Sequence, residues 1–230
     1  MSRFWHSIAV GLVGMLSVGT VAAVPDTLAQ RLQACTACHG AQGKATSDGY
    51  YPRIAGKPAD YLYNQLIHFR DGRRNHPAMV YMVRNQPEAY LREIAQYFSD
   101  QHLPYPAPQA GDLDARASAR GEQLVRKGDA AQGLPACMQC HGPRLTGMLP
   151  AAPGLLGLPR DYLYAQLSNW RNGRRQAATP DCMARVAKAL SQDDLVTVAS
   201  WLSTQPVPVE SQPAVAASKP LPLACGSLPQ

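Results

Sequence analysis

The sequence is poor in aromatic and charged residues and, after its first two dozen residues, in long apolar runs. Aromatic residues make up 7% and charged residues 17% of the 230-residue chain. Small domains of this composition have thin hydrophobic cores. No basic run of the kind that binds nucleic acid occurs, and no later segment could span a bilayer. Strand-like alternation is absent too, so the sequence predicts an all-α protein.

Four of the six cysteines lie in two copies of one motif, CTACH at Cys35–His39 and CMQCH at Cys137–His141. Cys-x-x-Cys-His is the attachment signature of c-type haem, in which the thiols bind the porphyrin and the histidine binds iron. A Cys-x-x-Cys pair alone would also suit a zinc half-site or a thiol redox pair, but the histidine and the repetition favour haem. The sequence therefore predicts two covalently attached haem c groups, which would also fill the thin cores. The attachment residues are Cys35, Cys38, Cys137 and Cys140, and the iron ligands are His39 and His141.

The first residues predict export. Arg3 and His6 precede an apolar run that ends in a small-residue cleavage pattern at Ala22 and Ala23. The run is short and no stop-transfer charges follow, which favours a signal peptide cleaved after Ala23 over an uncleaved anchor. Covalent haem attachment fits an oxidising compartment, so we expect a periplasmic protein with at most peripheral membrane association. The net charge of +6 falls close to zero once Arg3 and the haem propionates are counted, so no nucleic-acid partner is expected.

The second half of the chain repeats the first. Segments Tyr61–Arg74 and Tyr162–Arg175 are identical at nine of fourteen positions and lie 101 residues apart, against 102 for the haem motifs. A period near 100 residues indicates domain duplication. The predicted divisions are a signal peptide (1–23), an N-terminal domain (24–103), a Pro-rich linker (104–111), a C-terminal domain (112–204) and a Pro/Ala-rich tail (205–230).

Apolar residues at helical spacing predict three helices in each half. Pro87 and Glu88 begin the last helix of the first half, and Ser191 with Asp194 resembles a capping box that begins its counterpart. The predicted apolar faces of these two helices are Leu91, Ile94, Ala95 and Phe98, and Leu195, Val198, Ala199 and Leu202.

The tandem motifs, the YLxxQL-x3-R-x-GRR helix and a terminal helix that ends in an aromatic residue resemble the cytochrome c4 family, over roughly Thr27 to Ser203. The resemblance implies two class I cytochrome c domains related by pseudo-twofold symmetry, with their haems close together across the interface. It also implies periplasmic electron transfer, commonly toward terminal oxidases.

The same resemblance implies a methionine as the sixth iron ligand, shortly before the last helix of each domain. This selects Met79 and Met183, and a thioether ligand raises the reduction potential. Met82 remains an alternative to Met79. His76 is the one further histidine close enough to serve, and it would lower the potential of that haem.

Neighbours of the iron ligands follow from class I cytochromes. The carbonyls of Pro52 and Pro153 are expected to accept hydrogen bonds from the two motif histidines, although both prolines could simply form turns. Four arginines could pair with haem propionates or lie at solvated helix ends. They are Arg73, Arg74, Arg174 and Arg175.

Cys182 and Cys225 are left over as an even pair in an oxidising compartment, which predicts a disulfide. Free thiols and pairing with a partner subunit are the alternatives. Cys182 as an iron ligand would require displacement of the adjacent Met183.

Two closed haem sites predict an electron carrier rather than an enzyme. The expected partners are redox proteins, with a cytochrome bc complex or a dehydrogenase as donor and a terminal oxidase as acceptor. One alternative is the cytochrome subunit of a flavocytochrome c-type dehydrogenase, which would purify with a flavoprotein. Another is a dihaem peroxidase or thiosulfate dehydrogenase, which would need an open or unusually ligated iron.

Overall fold

The computed structural model of the chain describes residues 26–46, 50–215 and 220–228, so the predicted signal peptide lies outside them. Within these ranges the protein is helical, in two tandem domains of similar architecture. No helix in the same ranges is long and apolar enough to cross a membrane.

The described residues of the N-terminal domain form five α-helices, of which the first two are nearly continuous. They are α1 (Leu28–Arg31), α2 (Gln33–His39), α3 (Ala59–Arg70), α4 (Pro77–Val83) and α5 (Glu88–Ser99). Helix α5 begins after Pro87, as predicted, and buries the predicted face of Leu91, Ile94, Ala95 and Phe98 against α3. Leu32, which separates α1 from α2 just before the haem motif, belongs to this core.

The C-terminal domain repeats this order and adds a short hairpin. Its helices are α6 (Ala115–Arg126), α7 (Cys137–His141), α8 (Arg160–Arg171), α9 (Cys182–Ala189) and α10 (Gln192–Ser203). Strands β1 (Gly147–Met148) and β2 (Ala152–Pro153) pair antiparallel between α7 and α8. The Ser191 hydroxyl accepts a hydrogen bond from the Asp194 amide at 3.0 Å, which confirms Ser191 as the cap of α10.

The prediction of three helices per domain was incomplete. Helices α4 and α9 have seven and eight residues, too few for hydrophobic periodicity to stand out. The β1–β2 pair is only two residues long in each strand, so it leaves no alternating pattern. All of these short elements lie beside the haem motifs or carry the candidate methionines, so they matter for function despite their size.

The linker and much of the tail pack against the domains. The Arg53 guanidinium donates to the Leu103 and Pro104 carbonyls at 2.5 and 3.0 Å and lies over the Tyr105 ring. In the tail, Ala214 forms a parallel bridge with Met148, and its amide donates to the Gly147 carbonyl at 2.9 Å. The tail therefore extends the β1–β2 pair by one bridge, which its Pro- and Ala-rich composition did not predict.

Candidate functional site

The first motif forms helix α2, which places its two thiols and its histidine at one end of the N-terminal core. His39 is 8% exposed, and its Nδ1 lies 2.9 Å from the Pro52 carbonyl oxygen. A carbonyl only accepts hydrogen bonds, so Nδ1 carries the proton and Nε2 keeps its lone pair for a metal. Gly40 ends the helix with φ +74°, and a Cβ there would lie 2.4 Å from the Ala45 carbonyl oxygen. The chain can therefore fold back closely beside the motif.

The second motif forms helix α7 with the same local geometry. His141 is also 8% exposed, and its Nδ1 lies 2.8 Å from the Pro153 carbonyl oxygen. The Gln139 side chain accepts from the Ala136 amide at 2.9 Å and caps the start of the helix. Both halves therefore present a histidine whose Nε2 is oriented by a proline carbonyl behind the ring.

Burial sets the charge state of both histidines. It is the largest cause that lowers the pKa of His39, with Arg74 and His76 adding to the effect. Burial also lowers the pKa of His141, and the positive charge of Lys57 lowers it further. Both imidazoles are thus neutral at physiological pH, which is the form that binds iron.

The motif cysteines do not resemble a thiol redox pair or a zinc site. Burial raises the pKa of Cys35 and brings that of Cys137 to about 12, whereas reactive thiols have lowered pKa values. No group of three or more histidine, cysteine or acidic side chains that could hold a metal occurs in the described ranges. A structural zinc needs four such ligands. Covalent haem attachment remains the interpretation that fits.

The candidate axial methionines lie on the short helices. Met79 is partly buried and packs against the N-terminal core together with Cys35, whereas Met82 is 37% exposed. Met183 is half-buried in the first turn of α9. Of the remaining methionines, Met148 is buried in β1 and Met138 packs against the C-terminal core. The burial of Met79 favours it over Met82.

His76 is the N-cap residue of α4, and its Nε2 lies 3.4 Å from the Tyr50 hydroxyl. Its position close to His39, where its charge affects the His39 pKa, keeps it as the alternative ligand. The Sγ atoms of Cys182 and Cys225 are 2.01 Å apart in a disulfide directly beside Met183.

The four arginines divide into two pairs. Arg73 and Arg174 are exposed, whereas Arg74 and Arg175 meet across the domain interface. Arg175 donates to Gln166 and Gln65 at 2.8 Å each, and Arg74 donates to the same two side-chain oxygens at 2.9 and 3.1 Å.

The interface of Gln65, Gln166, Arg74 and Arg175 follows the repeat, because each member has its counterpart 101 residues away. Arg175 is 3% exposed, and burial, with Arg74 beside it, lowers its pKa to about 10. Sequence reasoning selected the two arginines for propionate pairing or solvated helix ends, not for an interface, and it did not select the glutamines. The identity of Gln65 and Gln166 within the repeated segment was the available signal.

Comparison with known proteins identifies the family. No protein-family model matches the chain. It is 36% identical over 206 residues to the thiosulfate dehydrogenase electron acceptor of Thiomonas intermedia, which covers 87% of this chain and 91% of the relative. It is 32% identical over 197 residues to cytochrome c4 of Pseudomonas aeruginosa, over 85% of this chain and 94% of the relative. The chain belongs to the cytochrome c4 family.

A solved structure agrees with this assignment. Reduced recombinant cytochrome c4 from Pseudomonas stutzeri superposes with a TM-score of 0.65 at 30% identity, covering 76% of this chain and 95% of that chain. Cytochrome c4 proteins are dihaem c-type cytochromes, and the two Cys-x-x-Cys-His motifs of this chain fit covalent attachment of two haem c groups. The protein is therefore a dihaem electron-transfer cytochrome.

Two buried arginines also fit haem. Arg53 and Arg175 are 4% and 3% exposed, and neither has a carboxylate partner among the ion pairs of the described ranges. Buried cations are normally paired with anions. Two haem groups carry propionates that could supply this negative charge, with the motif cysteines and histidines as their attachment and iron ligands.

Proposed function

We propose that this protein is a periplasmic electron carrier that accepts electrons from a thiosulfate dehydrogenase and delivers them to the respiratory chain, toward a terminal oxidase. The observation that supports electron transfer best is the duplicated iron-binding geometry. In each domain a buried neutral histidine is fixed by a proline carbonyl, and a methionine lies on a short helix before the terminal helix. Two closed sites of this kind suit electron transfer rather than substrate binding.

Each bound haem would supply a one-electron Fe(III)/Fe(II) couple. The chain's own residues would hold that couple in place: Cys35, Cys38, Cys137 and Cys140 by thioether bonds, and His39 and His141 by Nε2. The Pro52 and Pro153 carbonyls would keep the two imidazoles oriented. Met79 and Met183 would be the further iron ligands and would exclude water from the iron.

The choice of donor is supported by the relative from Thiomonas intermedia, which is named a thiosulfate dehydrogenase electron acceptor and aligns over most of both chains. Periplasmic location is supported by the typical location of cytochrome c4 homologues and by the export signal expected at residues 1–23. The side chains of Arg73 and Arg174 are exposed, so they could contact a propionate or the surface of a partner.

The test begins with the oxidised holoprotein. Optical and low-temperature electron paramagnetic resonance spectra should show two low-spin haems and a far-red sulfur-to-iron band. Stopped-flow mixing with thiosulfate and a purified thiosulfate dehydrogenase should then reduce both haems rapidly, whereas thiosulfate alone should not. Reduction only by a flavoprotein dehydrogenase would refute the proposed donor. A high-spin haem, or peroxide turnover by the protein alone, would argue for an enzyme.

A further inference from the structure

Lys57 is a buried cation of the N-terminal domain that contacts the C-terminal domain. It lies just before α3 in the N-terminal domain and is 4% exposed. Its Nζ donates to the Gly154 carbonyl oxygen of the C-terminal domain at 2.9 Å. Within the described ranges this is its one hydrogen bond, and no ion pair involves it. A side chain this costly to bury needs a reason beyond packing.

The acceptor of this hydrogen bond is held in a tight backbone arrangement. A Cβ on Gly154 would lie 2.6 Å from the Thr146 carbonyl oxygen, so only glycine fits there. The following residue, Leu155, donates its amide to the Leu145 carbonyl at 2.9 Å. Lys57 therefore binds a carbonyl whose position is fixed by the segment around β1 and β2.

The Gly154 carbonyl lies next to the backbone that orients the second motif histidine. Pro153 accepts the hydrogen bond from His141 Nδ1 at 2.8 Å, and Gly154 is its neighbour in the chain. Lys57 Nζ therefore binds the carbonyl one residue along the chain from the carbonyl that orients His141. Lys57 is thus a side chain of the N-terminal domain that is held beside the backbone supporting the iron ligand of the other domain.

The C-terminal domain has no counterpart of this buried lysine. With the offset of 101 residues, Lys57 corresponds to Leu158 and Arg53 corresponds to Gly154. Leu158 is buried in the C-terminal core and carries no charge toward the N-terminal domain. The two otherwise similar haem environments therefore differ by a buried cation on one side of the interface.

The geometry points to Lys57 as a positioning residue that raises the reduction potential of the C-terminal haem from the neighbouring domain. A nearby positive charge favours the reduced iron, which carries one positive charge fewer, and hydrogen bonds around the axial histidine tune the same couple. The inference rests on the proposed haem sites and adds to them a means by which one domain sets the potential of the other.

The test compares Lys57→Gln, Lys57→Met and Lys57→Arg with the surface control Lys127→Met in the holoprotein. Glutamine keeps a hydrogen-bond donor without the charge, and arginine keeps the charge. Spectroelectrochemical titration at pH 6 is appropriate because burial and Arg53 lower the pKa of Lys57 to about 7. Met79→Ala and Met183→Ala assign each redox wave to its domain.

The Gln and Met variants should lower the potential of the C-terminal haem by about 59 mV, a tenfold change in its oxidised-to-reduced ratio. The N-terminal haem should not shift, Lys57→Arg should retain most of the wild-type value, and Lys127→Met should change neither haem. An unchanged potential in Lys57→Gln, or equal shifts of both haems, would overturn the inference. Absence of two low-spin haems in the wild type would instead refute the haem sites themselves.

Discussion

The two domains share a fold but hold their methionine-bearing helices in different ways. In the N-terminal domain, α4 is an apolar helix that begins with Pro77 and leaves Tyr81 69% exposed. In the C-terminal domain, α9 is capped by Asp181, whose carboxylate accepts from the Ala177 and Ala184 amides at 2.7 and 2.9 Å. The adjacent Cys182 is joined to the tail by a disulfide.

The tail accounts for much of this difference. Beside the second haem motif it pairs with β1, and at its far end the Gly226 amide donates to the Pro180 carbonyl at 2.8 Å. Both contacts are made to the C-terminal domain, so a segment without a counterpart in the repeat restrains both the motif side and the α9 side of one domain. The tail thus adds contacts to one of two domains of similar architecture.

The largest effects should come from the proposed axial ligands. Met79→Ala and Met183→Ala should each remove about half of the far-red band and lower the potential of one haem, because a thioether ligand is lost. Met82→Ala should change neither the far-red band nor the reduction potentials, because the Met82 side chain is exposed. Optical spectra and redox titration check this. Loss of the band in Met82→Ala, with Met79→Ala unaffected, would reassign the first site.

Removal of the disulfide should affect the C-terminal domain most. Cys182→Ser with Cys225→Ser opens a link between residues 43 positions apart, which in the chain-entropy model costs about 4 kcal/mol of unfolding free energy. Denaturant titration should show this loss at the C-terminal haem signal, and Met183 should dissociate from iron at a lower denaturant concentration. Equal destabilisation of both haem signals would contradict a clamp local to α9.

A buried histidine gives the N-terminal domain its own pH dependence. Burial, with Arg73, Arg175 and Arg74 nearby, lowers the pKa of His68 to about 4. As the pH falls, His68 is protonated in the unfolded chain before it is protonated in the folded protein. The free energy of unfolding therefore decreases between pH 6.5 and pH 4, by about 3 kcal/mol in total.

The repeat supplies the matched variant for His68, because Asn169 occupies its position in the other domain. His68→Asn should reduce the decrease in unfolding free energy between pH 6.5 and 4, as measured by denaturant titration. An equal pH dependence of the unfolding free energy in wild type and variant would assign the acid sensitivity to other groups.

The smallest effect should distinguish the two interface arginines. Arg175→Met removes two hydrogen bonds from a buried guanidinium and should reduce the unfolding free energy by about 2 kcal/mol. Arg74→Met should cost less because Arg74 is only half-buried, and the exposed control Arg174→Met should cost least. Equal losses from Arg174→Met and Arg175→Met, measured by denaturant titration, would contradict the interface role.

Sequence patterns predicted the features that depend on local spacing. The haem motifs, the repeat and the apolar faces of α5 and α10 each follow from residues close together in the chain. The Gln65–Gln166 interface was missed because both glutamines are polar residues on helices where solvent exposure is the ordinary expectation. The tail pairing with β1 was missed because a single bridge has no periodicity and composition indicated only extended chain.

By itself the sequence determined that this protein carries two haem groups in two duplicated helical domains, since covalent attachment and helix formation are local properties. Only the tertiary structure decided how the duplicated parts differ. Lys57 reaches Gly154 across 97 positions of chain, and Arg175 reaches Gln65 across 110. Burial of a charge and the partner it meets depend on how two domains pack, and packing joins residues that no local pattern connects.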